Sequence, residues 1–183
     1  MEGSVKNLLL TGKPGVGKTT LVRRAIEQAG VKAHGFFTAE IREGGQRVGF
    51  AIESLDGERG VLASVKFPGP IRVGKYGVSL SELERVGVAA IRRGLECGSL
   101  VVIDEIGKME LFSSAFEGAV WQALESRCPV LGTITRSPHP FAERVKARRD
   151  VRILEVRPEN RDSLLEQVLW PWLEENVRGS LLP

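Results

Sequence analysis

Residues 12–20 read Gly-Lys-Pro-Gly-Val-Gly-Lys-Thr-Thr. They lie between the apolar run Val5-Lys6-Asn7-Leu8-Leu9-Leu10 and a segment, Lys18 to Ala29, that spaces Leu21, Val22, Ala25, Ile26 and Ala29 as a helix does. Strand, glycine-rich loop and helix form the setting in which GxxxxGK[ST], here Gly12, Gly17, Lys18 and Thr19, wraps a phosphate. Glycines at 12, 15 and 17 let successive amides turn inward without Cβ clashes. A helix starting near Lys18 adds unpaired N–H groups and its positive dipole end. Lys18 can then reach the β- and γ-phosphates of a nucleotide, and the Thr19 hydroxyl can face Mg²⁺. The predicted contact set is Gly12, Lys13, Pro14, Gly15, Val16, Gly17, Lys18, Thr19 and Thr20.

Working outward, 183 residues suit one α/β domain, 1–183, able to bury a proper core. A hydrophobic content of 42% and a charged content of 27% are those of an ordinary globular chain. The net charge of +3 and pI near 9.1 come from scattered charges rather than blocks. Weak attraction to nucleic acid is permitted, but no aromatic-and-basic stripe supports it. Two cysteines and two histidines argue against a structural zinc or a disulfide framework and for a reduced, cytoplasmic setting. The start MEGSVKNLLL is too acidic and its apolar run too short for a signal peptide, and no stretch approaches a membrane span. A monomer is the default expectation, with oligomeric state left open.

Downstream of Gly30, the runs Gly35 to Arg42 and Arg47 to Glu53 flank Gly44-Gly45, a hairpin signal. Another strand is expected at Val61 to Val65, and irregular or edge structure from Phe67 to Gly77. Ser81 with Glu84, and Ser114 with Glu117, have capping-box spacing and predict two helix starts. Strands are expected at Leu100 to Ile103, Val130 to Thr135 and Val151 to Val156, and a closing helix that Pro171 kinks or ends. Strands and helices alternate at both ends of the chain. That predicts a mostly parallel sheet covered on both faces, with antiparallel hairpins inserted at about 34–78.

The apolar run ending in Asp104-Glu105 supplies the second half of a nucleotide site. A carboxylate at a strand's carboxyl end, beside the phosphate loop, suits the metal shell, which makes Thr19 and Asp104 the metal-side pair. Glu105 is then the candidate to orient or deprotonate an attacking water. The whole segment, Leu100, Val101, Val102, Ile103, Asp104, Glu105, Ile106 and Gly107, is counted with the loop among the nucleotide contacts.

With GKPGVGKTT, GFFTAEIREGGQRVGF, RVGKYGVSL, LVVIDEIGKMEL, GTITR and the late PENR, the chain resembles the cancer-related nucleoside-triphosphatase family across roughly residues 5 to 170. The resemblance implies a P-loop three-layer sandwich of the RecA- and AAA-like division, with an extra strand between the phosphate-loop strand and the Asp104 strand. It implies slow, Mg²⁺-dependent hydrolysis of ATP, GTP, CTP and UTP to diphosphate and phosphate with little base selectivity. It also places Glu105 at the family's catalytic acid position. Two other classes stay open: a P-loop nucleotide or polynucleotide kinase, and a nucleotide-dependent switch that associates with nucleic acid.

Secondary candidates are each balanced by a plainer role. Lys108 could touch the γ-phosphate or form a surface ion pair, and Glu110 is read as structural. Thr135 and Arg136 end a strand where a γ-phosphate sensor would stand, and Arg136 joins Lys18 and Glu105 as a catalytic candidate. Arg144, Arg148 and Arg149 form either a cationic lid or a solvated helix face. Asn160-Arg161 either lies near the base or caps a helix. His34 and His139 have no partners at catalytic spacing, and Trp170 and Trp172 are read as packing residues.

Overall fold

The computed structural model describes residues 5–178. Among these, nine strands form one sheet: β1 (Asn7–Thr11), β2 (Ala33–Glu43), β3 (Gln46–Ser54), β4 (Arg59–Ser64), β5 (Arg72–Val73), β6 (Tyr76–Val78), β7 (Leu100–Ile106), β8 (Val130–Ile134) and β9 (Val151–Glu155). Their spatial order is β5-β6-β4-β3-β2-β7-β8-β1-β9. From β2 to β9 all neighbours are parallel, and β8 lies between β1 and β7, as the resemblance implied.

β2 belongs to both halves. Ala33 to Phe36 pair in parallel with Leu100 to Ile103, and the rest of the strand turns at Gly44-Gly45, both at positive φ, into the antiparallel β3. The hairpins therefore widen the same sheet instead of folding over it.

Five helices lie among the described residues: α1 (Lys18–Ala29), α2 (80–97), α3 (Ser114–Glu125), α4 (Pro140–Lys146) and α5 (161–178). Strand alternation sorts their partners. Leu9, Val101 and Ile103 face a core built with Leu83 and Ile91 of α2, Phe116 and Val120 of α3, and Phe141 and Val145 of α4. Leu8, Leu10, Leu100 and Val102 face the other core, closed by Leu21 and Val22 of α1 and Leu165, Leu169 and Leu173 of α5. The result is a three-layer α/β sandwich. Among the described residues no helix is long and apolar enough to cross a membrane.

Three local expectations are corrected. The cap of α2 is Ser79, whose Oγ accepts from the Glu82 amide at 3.3 Å, not Ser81. Val78 is still in the sheet, so the chain turns directly from strand to helix at Ser79. The cap of α3 is Ser113, not Ser114. A 3-10 turn at Glu110–Phe112 leaves Ser113 extended, and its Oγ accepts from the Phe116 amide at 3.1 Å. Pro171 does not end α5: a wider π turn, Leu165–Leu169, precedes it, and the helix runs on to Arg178. Buried Trp172 anchors that stretch, its Nε1 donating to the Val5 carbonyl at 2.6 Å, whereas Trp170 stands exposed.

The histidines have structural partners. Buried His34 approaches Asp56 at 3.2 Å, and Asp56 also pairs with Arg93 of α2 at 3.0 Å. His139 caps α4, its Nδ1 accepting from the Phe141 amide.

Candidate nucleotide site

At the carboxyl end of β1 the chain enters the loop that the glycine pattern predicts. Gly12, Gly15 and Gly17 have φ of 150°, 76° and 106°. A Cβ at Gly12 would stand 2.7 Å from the Val156 carbonyl oxygen, so the close approach of β9's end requires glycine there. Gly17 caps α1 without a side-chain hydrogen bond, which leaves first-turn amides open to an anion. Lys18 bridges the loop, its Nζ donating to the carbonyls of Gly12 at 3.0 Å and Lys13 at 3.1 Å.

The carboxylates arrive from β7. That strand does not stop at Asp104 but continues to Ile106. Ile103 pairs with Gly132 and Ile106 with Ile134, so β7 carries one extra residue against β8. Such a bulge re-aims side chains, and this one presents both Asp104 and Glu105 to the same end of the sheet. The peptide joining them is cis. Thr19 Oγ1 donates to Asp104 Oδ2 at 2.7 Å, and Thr133 Oγ1 donates to Asp104 Oδ1 at 2.5 Å. Burial raises the Asp104 pKa, and the two hydroxyls oppose that rise. Glu105 is also raised, first by burial and then by the Asp104 charge, with Lys18 pulling the other way.

Glu110 belongs to this group. It is 5% exposed, and burial followed by the Glu105 charge pushes its pKa up to about 8. A Cβ on Gly107 would lie 2.5 Å from Glu105 Oε1 and 2.9 Å from Glu110 Oε2, so glycine at 107 leaves room for both carboxyls. The sequence signal for Glu110 was a lone acid inside the apolar Met109-Glu110-Leu111-Phe112. For Thr133 it was a polar residue mid-strand in β8.

Leu100, Val101, Val102, Ile103 and Ile106 are 0% exposed and packed in the two cores. This corrects their reading as nucleotide contacts, because they hold Asp104 and Glu105 in place and offer a nucleotide no surface. Lys108 is exposed, and Thr135 is buried with its Oγ1 accepting from the Ser137 amide. Arg136 lines a cavity of about 500 Å³ beside the loop, together with Lys13, Pro14, Glu155, Arg157 and Glu159.

The arginine stretch after α4 lies elsewhere. Arg148 pairs with Asp150, which also accepts from Asn7 where β1 begins, so this segment sits at the amino edge of the sheet. Arg144 and Arg148 both lie 4.7 Å over the Trp121 ring. The lid reading of Arg144, Arg148 and Arg149 is corrected by that position, since the β-strands separate them from the loop.

Known proteins carry the same arrangement of sequence and fold. Residues 7–169 match the family described as NTPase. The chain is 48% identical over 166 residues to nucleoside-triphosphatase THEP1 of Thermotoga petrophila, covering 89% of this chain and 90% of that one. It is 41% identical over 180 residues to the cancer-related nucleoside-triphosphatase homolog of Bos taurus, covering 90% and 95%. The crystal structure of THEP1 from Aquifex aeolicus superposes with a TM-score of 0.81 at 36% identity, covering 88% of this chain and 96% of that one. By its sequence over 7–169 and by its fold, this chain belongs to the NTPase family.

Proposed function

We propose that this chain hydrolyses the γ-phosphate of nucleoside triphosphates, ATP, GTP, CTP and UTP alike, leaving diphosphate and phosphate. One observation carries the reading: the Thr19 hydroxyl of the phosphate loop is bonded to Asp104, and Glu105 stands next to it at the same strand end. Thr19 Oγ1 and Asp104 Oδ2, 2.7 Å apart, are hard oxygen donors of the kind Mg²⁺ takes alongside phosphate and water. Bound there, Mg²⁺ would neutralise charge on the β- and γ-phosphate oxygens.

The remaining work falls to side chains. Lys18 exchanges the Gly12 and Lys13 carbonyls for phosphate oxygens. Glu105, made more basic by burial and by Asp104, orients a water against the γ-phosphorus. As that water's oxygen bonds to phosphorus, its proton passes to Glu105, the bond to the β–γ bridging oxygen breaks, and the diphosphate leaves. The groups around the loop address phosphate and metal, which every triphosphate shares, and the sequence has no NKxD base-reading motif.

Transfer to an organic acceptor needs water shut out over the γ-phosphate, commonly by an arginine-bearing lid. The place of Arg148 at the opposite edge favours hydrolysis. The deciding experiment supplies γ-labelled ATP or GTP with Mg²⁺ and adds nucleoside monophosphates, nucleosides or 5′-hydroxyl oligonucleotides. Nearly all label should appear as free phosphate, turnover should cease on chelation, and RNA or DNA at low salt should not accelerate it. Stoichiometric transfer to one acceptor, faster than phosphate release, would overturn the proposal.

A further inference from the structure

The turn after β9 is braced against both ends of the phosphate loop. At one end the Val156 amide donates to the Thr11 carbonyl at 2.8 Å, and the Val156 carbonyl crowds Gly12. At the other, Arg161 Cδ and Nη1 would stand 3.1 and 3.5 Å from a Cβ on Gly17. Asn160 locks the turn between them. Its Oδ1 accepts from the Arg157 amide at 2.8 Å, and its Nδ2 donates to the Glu155 carbonyl at 2.9 Å. Arg161 therefore enters α5 with a fixed backbone and its side chain lying over the last glycine of the loop.

Its guanidinium keeps most of its binding capacity. Arg157, four residues earlier, is tied to Glu155 at 2.6 Å. Among the described residues Arg161 has only Asp162, 3.9 Å away, and that acid is 78% exposed and shared with Arg24. An arginine in this state can still bind an oxyanion with two N–H groups.

Position selects which oxyanion. Thr19 and Asp104 mark the metal end of the site, on the β7 side of β1, where the β- and γ-phosphates belong. Arg161 reaches the loop from β9, on the other side of β1. A nucleotide anchored by its terminal phosphates on the β7 side runs out toward β9 with its nucleoside-proximal end. We infer that Arg161 grips the α-phosphate of the bound nucleotide, an anchor indifferent to the base. This rests on the reading that Gly12 to Thr19 holds a nucleoside triphosphate.

Calorimetric titration in Mg²⁺ tests it with four probes: non-hydrolysable ATP and GTP analogues, tripolyphosphate, which presents three phosphates, and pyrophosphate, which presents two. Arg161→Gln keeps the stem over Gly17 while removing the charge. It should bind both analogues and tripolyphosphate about tenfold more weakly, as expected for one lost charge-assisted contact, and pyrophosphate within about twofold of wild type. Arg161→Lys should recover part of the loss. The inference is overturned by unchanged binding, by an equal loss for pyrophosphate, by a loss confined to one base, or by a loss for the analogues that spares tripolyphosphate. If the wild-type chain binds none of the four, the phosphate-loop reading itself fails, and this inference fails with it.

Discussion

The two edges of the sheet hold their buried and half-buried charges differently. At the amino edge Arg148 and Lys6 are held by partners. Arg148 makes two 2.8 Å hydrogen bonds to Asp150, and Lys6 donates to the carbonyls of Leu124 and Cys128, each at 3.0 Å. At the carboxyl edge charge is left uncompensated in both signs. Asp104, Glu105 and Glu110 are crowded and pushed up in pKa, while Lys13 and Arg136 have no ion pair among the described residues. Lys13 and Arg136 lie near enough to Glu155 to help lower its carboxyl, although Arg157 is the main cause. Arg148, from the dense run of arginines, is held by Asp150 and Trp121 away from the phosphate loop, whereas Lys13 and Arg136 line the cavity beside it. Density of charge along a chain says little about function; position at the carboxyl ends of the strands, beside the phosphate loop, says more.

The sharpest break of this comparison sets Lys18→Ala against Arg148→Ala. Removing Lys18 should lower kcat/KM by about 10²-fold or more, since on the proposed reading phosphate oxygens would take the place of its loop-carbonyl partners. Removing Arg148 should leave turnover within about twofold and cost roughly 1 kcal/mol of stability through the lost ion pair and Trp121 contact. Steady-state kinetics and denaturant unfolding of both variants check this, and a large kinetic loss in Arg148→Ala would dissolve the contrast between the edges.

A smaller effect sharpens it. Glu110 is neutral in folded and unfolded chain below about pH 4.5 and adds nothing to stability there. Above that the unfolded chain releases the proton while the folded chain keeps it up to about 8, so stability falls as pH rises through this window. Asp104 and Glu105, also raised, slope the same way. In metal-free buffer, Glu110→Gln should flatten the decline in thermal midpoint between pH 5 and 8 and exceed wild type at pH 8. Parallel curves would place the Glu110 carboxyl in a better-solvated setting.

Much of this was legible in the chain. The phosphate loop, the Gly44-Gly45 hairpin and the buried β7 declare themselves because each depends on residues close in sequence: three glycines with φ of 76° to 150°, a two-residue turn, an unbroken apolar run. What escaped depends on residues far apart. Thr133 matters because β8 lies beside β7, and Glu110 matters because a 3-10 turn folds it back on Glu105. The arginine stretch was misplaced for the same reason: its edge is set by the β9 pairing of Asn7 with Val151, which no local pattern encodes. The caps slipped by one or two residues because Ser79 and Ser81, and Ser113 and Ser114, offer equivalent side chains, and only the backbone entering the helix selects between them.

Glu105→Gln is the most direct test of the central claim that Glu105 takes the proton of the attacking water. The substitution keeps size and hydrogen bonding but removes the base. With saturating Mg²⁺ and ATP, kcat should fall by about 10²-fold or more while affinity for a non-hydrolysable analogue stays within a few-fold. A near wild-type kcat in the Gln variant would contradict the account and move proton transfer to another group.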